Sequence, residues 1–303
     1  MSPTRRSVHR ALLAGAILPA SAGARPESGA RTESGAASPE ALRAWVRAHP
    51  VVHFAAIPDL APMSFLRRGR YVGMAADLLD LASEHLGLLF RRVDVNGRRD
   101  AVERLVRGEI DMLPVAGVTR SRAGAVRFTR PFVHLRFALY ARDASVVGRL
   151  AGRGVGVPAG YEHLSDELPA GALVVPIDGL RDALDRLRAG EIAATALPSR
   201  LLEAWLEREP FPELQRIRGL SARVPFAMAV RHDLPMLERV LDTFLAETAP
   251  AALDGLRAAW LGGTDVDEPR GGALAAGGAG LVAAGALAVF LRRRAMRREP
   301  AAR

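Results

Sequence analysis

This chain of 303 residues has no cysteine and no lysine; all 42 of its basic side chains are arginine. Without cysteine there is no disulfide, no thiolate metal site, no thiol nucleophile and no cysteine to carry a lipid. Without lysine there is no lysine amine to act as acid or base. Neither HExxH nor GxSxG occurs, and the 7 histidines are scattered at 9, 49, 53, 85, 134, 163 and 232. No enzyme class, resident metal or cofactor is therefore indicated.

The arginine excess gives a pI near 11.2, a value typical of nucleic-acid binders, but its distribution excludes that class. Of the formal +9, Arg5, Arg6 and Arg10 supply +3, and the segment after Leu291 supplies +5, leaving +1 for everything between. A nearly neutral body with two basic ends is a membrane-topology pattern rather than a phosphate-tracking surface.

At the amino end, MSPTRRSVHR is a basic region, ALLAGAILPA an apolar core, and Ala22-Gly23-Ala24 a small-residue cleavage site, so 1–24 reads as an export signal. TRRSVHR partly resembles a twin-arginine signal, although His9 takes an apolar slot, and the export route stays open. Residues 25–37 form a linker with nothing to bury. At the other end, 271–291 carries no charge and is followed by RRRAMRR. It is long enough to cross a bilayer core of about 30 Å, with the tail 292–303 on the cytoplasmic side. A removable tail of the glycine-started sorting type is the alternative. The expected location is the periplasm, anchored in the inner membrane.

The body alternates strand and helix. Ser38-Pro39-Glu40 caps a helix that stops at Pro50; VVHFAAI is a strand; DLAPMSFLRRGRYVG is a loop with a hairpin-like return. MAADLLDLASEHLG is a helix with a glycine stop, followed by strand LLFRRVDV, helix RDAVERLVRGE and strand IDMLPVAG. RGVGVPAG, LVVPI, LRDALDRLRAGE and IAATAL repeat the pattern, and VPFAMAVRHD returns before two closing helices. Such alternation predicts an α/β fold with a parallel sheet.

Four segments in order, AWVRAHPVVHFAA, GRYVGMAADLLDLASEHLGLLF, LVRGEIDMLPVAGVTRSRAGAVRFTRPF and VPFAMAVRHDLPMLERVLD, make the body at 38–263 resemble a known family. It is similar to the extracellular solute-binding proteins of family 3, the type II periplasmic flytraps, and most of all to the periplasmic sensor domains of bacterial hybrid histidine kinases. The resemblance implies a two-lobed fold with ligand in the cleft. Lobe one would be 50–140 plus 224–262, and lobe two 141–223. It also implies that Arg122, three residues after Thr119 and beyond Gly117, forks onto a ligand carboxylate, for which a planar guanidinium is suited.

The loop after the first strand, with Asp59, Met63 and Phe65, would face the ligand, although Leu60 and Met63 depart from the family's aromatics. In lobe two, Tyr161 and Ser199 are the candidates, with Gly160 to Glu162 opening a helix whose N–H groups would meet an anion; Tyr161 reads equally as packing between the lobes. Asp77 reads as a helix-start carboxylate with a structural role, and Arg120, Arg127 and Arg130 as surface or ion-pair residues. Amino-acid binders of the family carry an Asp within GEIAATALPSR to hold the ligand's ammonium; this chain has Ala193, Thr195, Leu197 and Pro198 across those slots. The expected ligand is therefore a small carboxylate or other small anion. Only twelve residues come after Leu291, so the expected readers of the bound state are a membrane sensor kinase or an importer. The competing readings are an exported enzyme on the flytrap scaffold, such as a dehydratase, and a degenerate flytrap that binds nothing.

Overall fold

The computed structural model describes residues 37–119 and 124–262. The expected export signal, nearly all of the linker, the apolar segment 271–291 and the basic tail lie outside the described residues, as do Arg120 and Arg122. No helix among the described residues is long and apolar enough to cross a membrane.

Helix α1 (Pro39–Ala48) begins where the capping signal places it, with the Ser38 hydroxyl accepting from the Ala41 N–H at 3.2 Å. Strand β1 (Val51–Ala55) leads to a small antiparallel sheet of β2 (Asp59–Leu60), β3 (Ser64–Arg67) and β4 (Arg70–Val72), the expected return. Helix α2 (Met74–Leu86) stops at left-handed Gly87, β5 (Leu89–Val93) comes next, and α3 (Arg98–Arg107) stops at left-handed Gly108. The chain continues through β6 (Met112–Gly117), β7 (Val126–Phe128), β8 (Val133–Ala141), β9 (Gly154–Pro158) and β10 (Leu173–Ile177). The remaining elements are α4 (Leu180–Ala189), β11 (Ala194–Pro198), α5 (Ser199–Leu206), β12 (Gln215–Arg231), α6 (Pro235–Glu247) and α7 (Pro250–Leu261). The helix expected from Gly160 is a 3-10 turn, Glu162–Glu167.

The main sheet runs β10-β9-β11-β8-β12-β6-β1-β5, with β7 also on β12. Its two ends are parallel, as the alternation predicts: β1 pairs with β5 and β6, and β9 with β10 and β11. The middle is antiparallel, so the sheet is mixed rather than wholly parallel. β12 runs against β6 and β8, and β8 against β11. The reason is topological, since a chain that passes into a second lobe and returns beside itself travels in opposite directions.

β8 and β12 thus belong to both lobes. Gln215 to Gly219 pair with Ala141 to Ala138 toward lobe two, and Arg223 to Phe226 with Arg136 to Val133 toward lobe one. The register slips between Gly219 and Arg223. Unpaired backbone at such a bulge needs other partners, and Glu167 supplies them. Its carboxylate accepts from the N–H and hydroxyl of Ser221 and from the Ala222 N–H at 2.8 Å, while its backbone carbonyl accepts from the Arg218 guanidinium.

Burial alone would raise the Glu167 acid, but these hydrogen bonds and the nearby Arg218 charge hold it below its ordinary value. A carboxylate with a lowered folded-state pKa stabilises fully above its unfolded value of about 4.3 and progressively less as pH falls through the folded one. Glu167→Gln should cost about 1 kcal/mol at neutral pH, the group being partly solvated, and flatten the acid limb of stability below about pH 4.3. Urea titrations of parent and variant at pH 7 and pH 3.5 check this; an undiminished difference at the lower pH would contradict the assignment.

Candidate functional site: the cleft between the lobes

A cavity of about 60 Å³ lies where the lobes meet. From lobe one come Ile57 and Leu60 after β1, Arg98 and Val102 of α3, and the β6 stretch Val115 to Gly117. Lobe two contributes Pro158 and Tyr161 after β9, Leu180 of α4, and Leu197 and Pro198 of β11; Phe137 and Phe226 of the shared strands complete the wall. The wall is assembled from strand ends and helix starts, where open α/β sheets bind ligands. It is almost entirely apolar, and Arg98 is the one charged side chain among the described residues that line it.

Arg98 ties the lobes together. Its Nη2 donates to Asp178 Oδ1 at 2.7 Å and its Nη1 to the Ala159 carbonyl at 3.3 Å, with Arg99 3.7 Å from the same carboxylate. No periodicity or spacing marks Arg98, since GRRD at a helix start reads as solvated arginines; only the facing lobe gives it a partner. A second cross-lobe contact stacks the Arg208 guanidinium 5.9 Å from the Phe65 ring centroid.

The expected ligand residues fall into distinct places. Gly117 and Tyr161 are on the cavity wall. Thr119 is buried just beyond β6, and Ser199 is buried as the first residue of α5, next to Pro198 on the wall. Met63 is fully buried in the core, and Phe65 packs edge-on against Trp260 at 6.2 Å, so neither lines the cavity. The backbone of Asp59 pairs with Phe65 in the small sheet. Arg122 is outside the described residues.

The remaining polar groups serve the scaffold. Asp77, at the start of α2, accepts the Trp260 indole N–H at 2.7 Å and so fastens α7 to α2. Arg130 forks onto Asp242, with Nη2 to Oδ2 at 3.0 Å, and Arg127 donates to the His232 carbonyl at 2.8 Å. Thr195 is fully buried, and its hydroxyl donates to the Gly156 carbonyl at 3.1 Å. Asp111 accepts from the His53 N–H at 2.8 Å and lies 3.5 Å from Arg231. Among the described residues no cluster of histidine and carboxylate side chains is placed to hold a metal ion.

Two lobes joined by a shared strand pair, with a cavity at the strand ends between them, define a two-lobed binding protein. The profile of the bacterial extracellular solute-binding proteins, family 3, matches residues 52–263. The chain belongs to that family. The virulence sensor protein BvgS of Bordetella bronchiseptica is 29% identical over 100 residues, which cover 33% of this chain and 8% of BvgS. The chain thus spans only a small part of the length of the curated relatives it matches.

The crystal structure of the periplasmic VFT2 domain of Bordetella pertussis BvgS superposes with a TM-score of 0.64 at 23% identity, covering 72% of this chain and 97% of that one. A histidine kinase sensor domain with similarity to periplasmic binding proteins gives 0.62 at 23% identity, covering 73% and 99%. The fold is that of these flytraps, and residues 52–263 form a solute-binding domain of family 3.

The Arg98–Asp178 pair is partly solvated, so its coupling should be about 0.5–1 kcal/mol and should shrink at 1 M salt. A double-mutant cycle on Arg98→Ala and Asp178→Ala, read from urea unfolding at low and high salt, measures it. Strict additivity at low salt would mean that the pair contributes nothing to holding the lobes together.

Proposed function

We propose that the protein is a membrane-tethered periplasmic receptor whose cleft takes a small carboxylate without an α-amino group, and whose lobe arrangement is read by a sensor kinase or an importer in the membrane. The observation that supports the ligand class is the chemistry of the cavity wall. In the segment where an ammonium partner would be needed, Leu197 and Pro198 face the cavity, and no carboxylate is among its described lining residues. An ammonium buried there would cost several kcal/mol. Val115 to Gly117 line the same cavity, and the chain from there leads to Arg122, the proposed carboxylate fork. The apolar wall suits an apolar ligand body. The apolar segment 271–291 would anchor the receptor, with its arginines in the cytoplasm.

Two measurements test this. In calorimetry of the full chain with matched pairs of an amino acid and its deaminated analogue, the deaminated acid should bind better. Arg122→Ala should weaken that binding at least about tenfold, one charge-assisted bond exceeding about 1.4 kcal/mol. A tenfold preference for the amino acid would refute the ligand class, and absence of binding by any small carboxylate would favour the degenerate flytrap. For topology, a reporter fused after Arg303 should be active only in the cytoplasm; periplasmic activity would refute the anchor.

A further inference from the structure

One contact on the cavity wall is explained neither by the packing of a single lobe nor by a carboxylate ligand. Tyr161 projects from lobe two on the turn after β9. Its N–H donates to the Pro158 carbonyl at 3.0 Å, and its carbonyl accepts from the Leu164 N–H at 2.9 Å, which fixes where the side chain starts. The ring lies 5.6 Å from that of Phe137 and 6.5 Å from that of Phe226, one from each shared strand, and the residue is only 7% exposed.

The far end of the ring reaches Gly117 on β6 of lobe one. A Cβ placed on Gly117 would fall 1.8 Å from the Tyr161 hydroxyl oxygen and 2.6 Å from Cζ. Gly117 does not have a positive φ, so its backbone conformation is open to any residue. What the glycine provides is space, and Tyr161 uses it. The cavity beside the ring is about 60 Å³, room for roughly four to six waters at ~10–15 Å³ each. A ligand that extends to Gly117 must therefore move the ring.

We propose that Tyr161 is the resident occupant of the cleft: seated on Gly117 between Phe137 and Phe226, it holds the lobes together and is the group that an incoming ligand displaces. Closure of this flytrap is then set by one of its own side chains, and the Tyr161–Gly117 fit determines how readily the cleft yields. This inference does not rest on the carboxylate reading, and its test uses no ligand, so either can fail alone.

The cysteine-free sequence makes the test clean. Val106→Cys on α3 and Asp185→Cys on α4, both at exposed positions on opposite lobes, carry spin labels in the full-length chain, and pulsed dipolar spectroscopy reads the distance between them. The parent should give one narrow, short distance. Tyr161→Ala should add a longer population amounting to at least a third of the molecules. Gly117→Ala should do the same, because its methyl group takes the tyrosine's seat, and adding Tyr161→Ala to it should lengthen nothing further. Should Tyr161→Ala not fold, Tyr161→Leu and Gly117→Ala carry the test, since the first keeps an apolar group in place and the second keeps the ring. A parent-like distribution in Gly117→Ala, or in the tyrosine variant that folds, would overturn the proposal, as would effects of the two substitutions that simply add.

Discussion

The antiparallel pairing of β8 with β12 is the interaction on which the other features depend. It carries the chain out of the first lobe and back, and it places parallel α/β units on either side of one continuous sheet. The same two strands contribute Phe137 and Phe226 to the wall of the cleft. A group packed on those rings therefore bears directly on the backbone that joins the lobes, so the filling of the cleft and the angle between the lobes are coupled without any relay of intermediate residues. Arg98 on Asp178 adds a polar tie at the rim, modest because both groups are partly solvated.

The helices and parallel strands are legible in the sequence because their signals are local. Gly87, Gly108 and Gly190 stop α2, α3 and α4 in the left-handed conformation, and each stop ends a run of correctly spaced apolar residues. The β8 and β12 pair is not legible as a crossing. VHLRFALYA alternates only from Val133 to Phe137 and is buried on both faces from there to Ala141, and the 17 residues of β12 change neighbours midway. Of the site, the family resemblance indicates Gly117 and the strand end after GVGVPA indicates Tyr161, but their complementarity is a property of two lobes meeting. Arg98 carries no local signal for the same reason. The loop after β1 resembles a ligand-facing one, yet Met63 and Phe65 turn inward because a small sheet buries them against α2 and Trp260.

A chain with arginine as its only strong cation uses the guanidinium's geometry repeatedly. Helices α3 and α4 open with the same device. Asp100 accepts the Asn96 N–H and pairs with Arg104 four residues on, while Asp182 accepts the Asp178 N–H and pairs with Arg186. Each carboxylate satisfies a donor at the helix start and sits where the macrodipole favours it. The two lobes thus repeat a local solution and diverge only beyond the helix ends. After the matching glycine stops, GEID supplies Asp111 to a network in lobe one, whereas GEIA continues into the buried, apolar β11 of lobe two.

The slip in register between Gly219 and Arg223 has a mechanical meaning. Where a ladder is unbroken, changing the angle between two halves of a sheet shears every hydrogen bond along it; where it is interrupted, rotation concentrates at the interruption. Here the interruption is not slack, because Glu167, also of lobe two, grips the Ser221 and Ala222 backbone within it. On this geometry Glu167 would stiffen the joint, while the groups packed on Phe137 and Phe226 would set its rest angle. Stiffness and rest position are then separately adjustable, and residues that touch no ligand can tune how far the lobes swing without altering what the cleft recognises.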